Sequence, residues 1–459
     1  MRQHPRRAEA VFLTLLVLTL AWGILSFGGV YPWAYTPLLA AAALLGLFGV
    51  VRGRGTLPRG TAIALLIVAL AVSLQLIPVP RAVLRALSPP TDTLLAAYDV
   101  QYANAGPLAT HPLTISVPQT QLGLAFVIAY TLLMAGTAKM LNRHSMMRLV
   151  APIVGLGVLV SLIGMIQLAF HATLVYGFWT PILANTAPFG PFINRNHFAG
   201  LVLMVLPVAL SWCLTVGAAA GSPARRGVRH WLVWVGEREA SQAIVIGFGC
   251  LMMAVGLLLT LSRAGLACLA IGCLIGSCVF ARSTRRGVVA AGALAAPVLA
   301  LAWVDVGRIL DRFSSADMLS LAGRVGIWRD AWHVAANFWV AGTGFNTYGI
   351  AMLFYQTTNR FFHVQEAHND YLQIAAEGGL LIGLPALAAA GIFAIEVRRR
   401  FRRSDANYWM RAGAVTGLMC IALQSLVDFS LQMPGNAALC AVLCGMALHQ
   451  DGTSETTVR

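Results

Sequence analysis

Apolar runs of the length needed to cross a lipid bilayer recur along almost the whole chain, and no other feature constrains the fold as tightly. A hydrocarbon core about 30 Å thick takes about 20 residues of helix at 1.5 Å per residue. Twelve runs approach that length, near 10–28, 35–51, 61–79, 120–141, 149–170, 197–217, 242–261, 264–281, 286–304, 378–397, 409–430 and 434–449. The block 241–281 carries one charge, Arg263, and is too long for a single span. It reads as a hairpin turning at Leu261-Ser262-Arg263-Ala264-Gly265. Composition agrees, with 58% of the 459 residues hydrophobic and 11% charged, where soluble domains carry roughly 25% charged residues. Too few polar side chains remain to cover a water-soluble globule, which excludes a soluble enzyme, a disordered chain and a disulfide scaffold. The expected fold is all-α: a polytopic integral membrane protein of about twelve spans, forming one membrane domain over 1–459.

The net charge of +15, from 32 basic and 17 acidic residues, would suggest nucleic acid in a soluble protein. Here no nucleic-acid partner is expected, because basic loops are what orient membrane helices. With a cytoplasmic N-terminus, the inner loops collect Arg52, Arg54 and Arg59, then Lys139, Arg143 and Arg148. Further along they collect Arg225, Arg226 and Arg229, Arg282 and Arg285, and the basic run at 398–403. The alternation holds at every loop and leaves both termini cytoplasmic, with a short tail at 450–459. No small-residue cleavage site follows the first apolar run, so it reads as a first span and not as a removed signal. Phe27, Tyr31, Trp33 and Tyr35 then fall at the outer interface, where aromatic belts form. The eight cysteines lie inside apolar runs without CxxC pairing and read as small buried hydrophobes.

Three outer segments are long: 80–118, 171–196 and 305–370, the last a large outer loop between spans nine and ten. Trp328, Trp332, Ala335 and Trp339 recur at helical spacing. They predict an outer helix with a tryptophan stripe along the membrane surface and Arg324 and Arg329 beside it.

Two clusters carry possible chemistry. Arg195 stands in Asn194-Arg195-Asn196-His197-Phe198 directly before the sixth span, and Arg263 occupies the hairpin turn. Both lie on the outer side, where topology gives no reason for a positive charge. Either they snorkel to the headgroups, or together they form a fork of donors for phosphate oxygens. The second cluster is His368-Asn369-Asp370-Tyr371, which opens a short outer helix stopped by Gly378-Gly379 before the tenth span. The positive end of that helix disfavours imidazolium and keeps His368 fit to accept a proton, while Asp370 pulls the other way. A purely structural histidine is the alternative. There is no HExxH, no DxD pair and no nucleotide-binding loop, so neither a catalytic metal nor a cofactor is expected. The span interiors hold Gln75, Gln167 and Gln424 as their most polar groups. Ion-coupled carriers generally need ionisable groups there.

The stretches PFINRNHFAG (191–200), TLSRAG (260–265), GRVGIWRDAW (323–332), AGTGFNTYG (341–349) and HNDYLQIAAEGGLLIG (368–383) resemble the O-antigen ligase and polymerase family of bacterial envelopes in order and spacing. The resemblance implies a metal-independent, inverting glycosyltransferase of the inner membrane with its active site facing the periplasm. Such an enzyme takes a glycan from undecaprenyl diphosphate and passes it to an acceptor hydroxyl. By the same resemblance Arg195 and Arg263 bind the diphosphate, and His368 is the catalytic base or positions the acceptor. Arg324 matches a further family arginine, and Asn369, Asp370 and Tyr371 are the remaining candidate substrate-binding residues. The acceptor is expected to be lipid A core. The end of a growing O-antigen, exopolysaccharide or capsule chain, or a protein hydroxyl, stays open. A carrier or flippase that moves lipid-linked glycan without chemistry, and a scaffold for envelope assembly, are the competing classes.

Overall fold

A computed structural model describes residues 3–171, 174–180, 188–220, 233–280, 317–358, 360, 363–402 and 407–450. Three helices open the chain, α1 (Gln3–Leu25), α2 (Pro32–Arg52) and α3 (Arg59–Leu74). Three short ones follow, α4 (Arg81–Leu87), α5 (Pro89–Tyr98) and α6 (Val100–Ala105). The bundle continues with α7 (Val117–Met140), α8 (Arg143–Ala169), α9 (Arg195–Ala220), α10 (Arg238–Leu259) and α11 (Arg263–Phe280). Next come α12 (Asp317–Asn337) and α13 (Tyr348–Tyr355), and then α14 (Asp370–Phe401), α15 (Tyr408–Gln424) and α16 (Pro434–Leu448). A two-residue antiparallel pairing of Val79–Pro80 with Thr110–His111 is the one sheet among the described residues. The protein is all-α and polytopic, as expected.

Among the described residues eight helices are long and apolar enough to cross a membrane, and α3 and α16 are shorter apolar helices. Their starts follow local rules. Proline occupies the first turn of α2, α7 and α16, where its missing N–H costs nothing. Asn142 and Ser145 form a capping box at α8. The helices pack by close backbone approach: a Cβ on Gly46 of α2 would lie 2.3 Å from the Leu132 carbonyl carbon of α7. Such small-residue crossings bring helices together where lipid removes the hydrophobic drive for association. The expected ninth span, 286–304, the loop up to 316 and the tail beyond 450 lie outside the described residues.

Three expectations need correction. The third span ends at Leu74 and not 79, and the eleventh ends at Gln424 and not 430. Each helix stops where a buried glutamine amide turns to serve the backbone of another segment. The predicted helix forms, but it ends at Asn337, short of Trp339. Asp330, Ala331, Val334, Ala335 and Phe338 form the buried side of α12 and its C-terminal end, while Trp332 (63%) and Trp339 (59%) are exposed. Ala335, three residues after Trp332, is covered at the edge of the buried side, and Trp328 is half-buried.

Above one end of the bundle sits a second layer with its own small cores. One joins Ala331, Val334 and Phe338 of the α12 region to Tyr348, Met352, Ala367 and Ala376. Another joins Leu84, Leu95, Tyr102 and Leu113 to Ala341. The long segment 80–118 thus carries its own structure.

Candidate active site

Helix α14 is two helices merged across Gly379, whose φ of +51° breaks the spiral. The break exposes backbone groups, and the segment 339–344 satisfies them. Leu380 and Leu381 N–H donate to the carbonyls of Trp339 (2.8 Å) and Val340 (2.9 Å), while Thr343 and Gly344 N–H donate to Ala376 and Glu377 (both 3.0 Å). Gln75, at the end of α3, stitches the same place, donating to the Ala341 (2.7 Å) and Glu377 (2.9 Å) carbonyls and accepting from Phe345 N–H (2.8 Å). The Glu377 carboxylate accepts from the N–H groups of Asn346 (2.8 Å) and Tyr348 (3.0 Å). This polar knot fixes the short N-terminal half of α14.

Gly342 is at the centre of the knot, with φ of +71° and an ideal Cβ only 2.0 Å from the Glu377 carbonyl oxygen. Gly342→Ala therefore combines a left-handed backbone with a main-chain clash, and should cost about 4 kcal/mol or more. Gly383→Ala, in the middle of α14 with nothing within 4 Å, should be close to neutral. Thermal unfolding of the two purified variants checks the contrast.

His368 stands directly before the helix formed on this platform. Asn369 is the N-cap and accepts from Leu372 N–H at 3.0 Å, and Asp370 occupies the first turn, where the helix dipole favours an acid. His368 itself has φ of +52°, a left-handed conformation uncommon outside glycine and found disproportionately at functional sites. Its carbonyl accepts from Trp328 Nε1 (3.3 Å), and its ring meets Phe429 edge-on at 4.5 Å between centroids. The Nδ1 atom is buried and makes no hydrogen bond. Burial first, and the Arg324 charge second, hold this imidazole at a pKa of about 4, well below its ordinary value.

The loop 425–433 between α15 and α16 completes the site. Ser425 Oγ donates to Asp370 Oδ2 (2.7 Å), Gln432 Nε2 donates to Oδ1 (3.3 Å), and Asp370 N–H donates to the Ser425 carbonyl (2.9 Å). Tyr371 is 49% exposed and its hydroxyl donates to the Ala422 carbonyl at 2.9 Å. Asp428 is fully buried, 3.7 Å from Arg324 Nη2 and 4.0 Å from His197 Nε2. Burial holds its carboxyl above the usual carboxylate range, with the Phe429 N–H, Arg324 and Asn196 working against that shift.

The two remaining arginines begin helices at this same end. Arg195 is the first residue of α9, and Gln424 Nε2 (3.1 Å) and Ser430 Oγ (3.2 Å) both donate to the carbonyl of its neighbour Asn196. Arg263 is the first residue of α11. One half-turn on, a Cβ on Gly265 would lie 2.9 Å from the Ala199 Cβ, so the starts of α9 and α11 are packed together. Both arginines are half-buried. Arg195, Arg263, Arg324 and His368 thus converge on one end of the bundle from four separate elements. Asn369 and Asp370 commit their side chains to capping and to the 425–432 loop. Among the described residues no group of three His, Cys, Asp or Glu side chains is placed to hold a metal ion.

Sequence reading missed Asp428, Phe429 and His197. The first two fall inside the apolar run that reads as a span to 430, although Asp428 is a rare acid in an otherwise apolar region. His197 was in view as context for Arg195.

Residues 248–387 match the family model for O-antigen ligase. This stretch is an O-antigen ligase family domain. The match covers 140 of the 459 residues and supports, in general terms, membrane glycosyltransferase activity of the ligase or polymerase type. The O-antigen ligase match runs from α10 into α14 and takes in Arg263, Arg324 and the His368 segment, while Arg195 and Asp428 lie outside its limits. No curated protein matches the chain.

Proposed function

We propose that the protein transfers a glycan from undecaprenyl diphosphate to an acceptor hydroxyl at the periplasmic face of the inner membrane, in an inverting reaction, and that the acceptor is lipid A core. The observation that carries this reading is the meeting of three arginines with a buried, neutral histidine at one end of a membrane bundle. A glycan on a lipid diphosphate already has a good leaving group, so the protein need not supply a strong acid. Arg195 and Arg263 neutralise the charge that grows on the departing diphosphate, which is electrostatic stabilisation of the transition state. His368 takes the acceptor's proton as the hydroxyl oxygen bonds to the anomeric carbon and the carbon–oxygen bond to the diphosphate breaks from the opposite face. Proton transfer of this kind contributes typically 10²–10⁴-fold. Asn369 and Asp370 hold the histidine segment in place, and Arg324 and Tyr371 border it. Because the chemistry draws on arginines and an imidazole, it proceeds without a metal.

The anomeric configuration of the product, read by nuclear magnetic resonance, tests the single displacement. Inversion relative to the donor is expected, and retention would contradict it. The acid limb of the pH profile is a second expectation. Burial and Arg324 both favour the neutral ring, so the proton acceptor stays available as pH falls through 6.5. The kcat/KM limb attributable to His368 should therefore lie near pH 4. A limb near 6.5 that is absent in His368→Gln would contradict that environment.

A further inference from the structure

Three buried polar atoms without hydrogen-bond partners gather around Phe429: His368 Nδ1, His197 Nε2 and Asp428 Oδ2. Phe429 is clamped between the two imidazoles, with ring centroids 4.5 Å from His368 and 4.6 Å from His197, both edge-on. His197 is 5% exposed, in the first turn of α9 two residues beyond Arg195, and its carbonyl is fixed by Asn436 Nδ2 at 3.0 Å. Its Nε2 points to the Asp428 carboxylate across 4.0 Å, and Arg324 reaches the other oxygen of the same carboxylate at 3.7 Å. Nature rarely buries an imidazole nitrogen facing a carboxylate without using the pair, since unmet polar atoms in a dry interior are costly. One carboxylate thus stands between a histidine of α9 and the arginine that borders His368.

We propose that His197 is a positioning residue for the transfer reaction: its Nε2 faces the Asp428 carboxylate at 4.0 Å, a polar contact longer than a hydrogen bond that orients the carboxylate holding Arg324 beside His368. The inference rests on the function proposed above and deepens it. His197 touches neither donor nor acceptor. It acts through Asp428 on the placement of Arg324, and through Phe429 on the ring of His368. The donor lipid is gripped elsewhere, by Arg195 and Arg263, so losing the Nε2 donor should slow turnover and leave donor binding unchanged.

His197→Phe keeps an aromatic ring against Phe429 and removes the donor, whereas His197→Gln restores an N–H at similar reach. Purified wild type, both variants and His368→Ala are compared for kcat and for KM towards undecaprenyl-diphosphate-linked oligosaccharide, with lipid A core as acceptor. Loss of this polar contact with a buried carboxylate sets the expected fall in His197→Phe at about tenfold in kcat. KM for the donor should stay within about twofold, and His197→Gln should recover most of the loss. Wild-type kcat in His197→Phe, with His368→Ala inactive, would overturn this inference alone. Equal losses in the Phe and Gln variants would overturn it too, because shape and not the donor would then matter. Wild-type activity in His368→Ala would instead strike at the proposed function. Nitrogen-15 histidine spectra supply a readout independent of turnover: the His197 Nε2 resonance should shift in Asp428→Asn, and an unmoved resonance would contradict the contact.

Discussion

Replacing Arg195 and Arg263 together by alanine should abolish glycan transfer while leaving a folded, membrane-inserted protein. Each arginine begins its helix at the same end of the bundle, and Ala199 and Gly265, within a turn of them, are in contact. Removing one preorganised donor from a developing anion typically costs 10²–10³-fold. Two such losses on one diphosphate would carry turnover below detection. Arginine offers a planar fork of donors to phosphate oxygens, where lysine offers a single point charge. The paired Arg→Lys variant should therefore retain measurable activity but less than wild type, with the deficit in kcat as well as in KM. Release of undecaprenyl diphosphate from purified variants reads this out. Full activity in the double alanine variant would show that the diphosphate is held elsewhere.

His368→Ala carries the second large effect, a fall of about 10²–10⁴-fold in kcat. Burial among Phe429, Trp328 and Arg324 keeps the ring uncharged, and the left-handed backbone at His368 is imposed by its neighbours. Asn369 caps α14 independently of the His368 side chain, and Gly379 is closed by backbone bonds from 339–344. The alanine variant should therefore unfold close to the wild-type temperature. An activity loss matched by a large fall in stability would reassign the histidine to structure.

Much of this arrangement could be read from the chain. Length and hydropathy are enough to place membrane helices, since a bilayer admits almost no other structure for an apolar run of 20 residues. Arg195 and Arg263 stood out because charge at an outer helix end has no topological reason, and Asn369, Gly378 and Gly379 signalled a short helix with a break. What stayed hidden depends on which segments meet across the bundle. Gln75 looked like an isolated polar residue in a span, yet it ties the end of α3 to Ala341, Phe345 and Glu377. Asp428 vanished into an apolar run because periodicity places a helix end only to within a few residues. The link from α9 through Asp428 to Arg324 is a tertiary fact with no local trace.

The central claim is that this bundle performs chemistry on a lipid-linked glycan and does not merely move it. The most direct measurement uses purified protein in detergent, undecaprenyl-diphosphate-linked glycan, lipid A core and a chelator, quantifying released undecaprenyl diphosphate and glycosylated acceptor together. The account predicts equal amounts of the two products, dependent on the acceptor and unaffected by chelator. Absence of both, from a preparation that carries the same lipid-linked glycan across liposome membranes, would contradict it and make the protein a carrier.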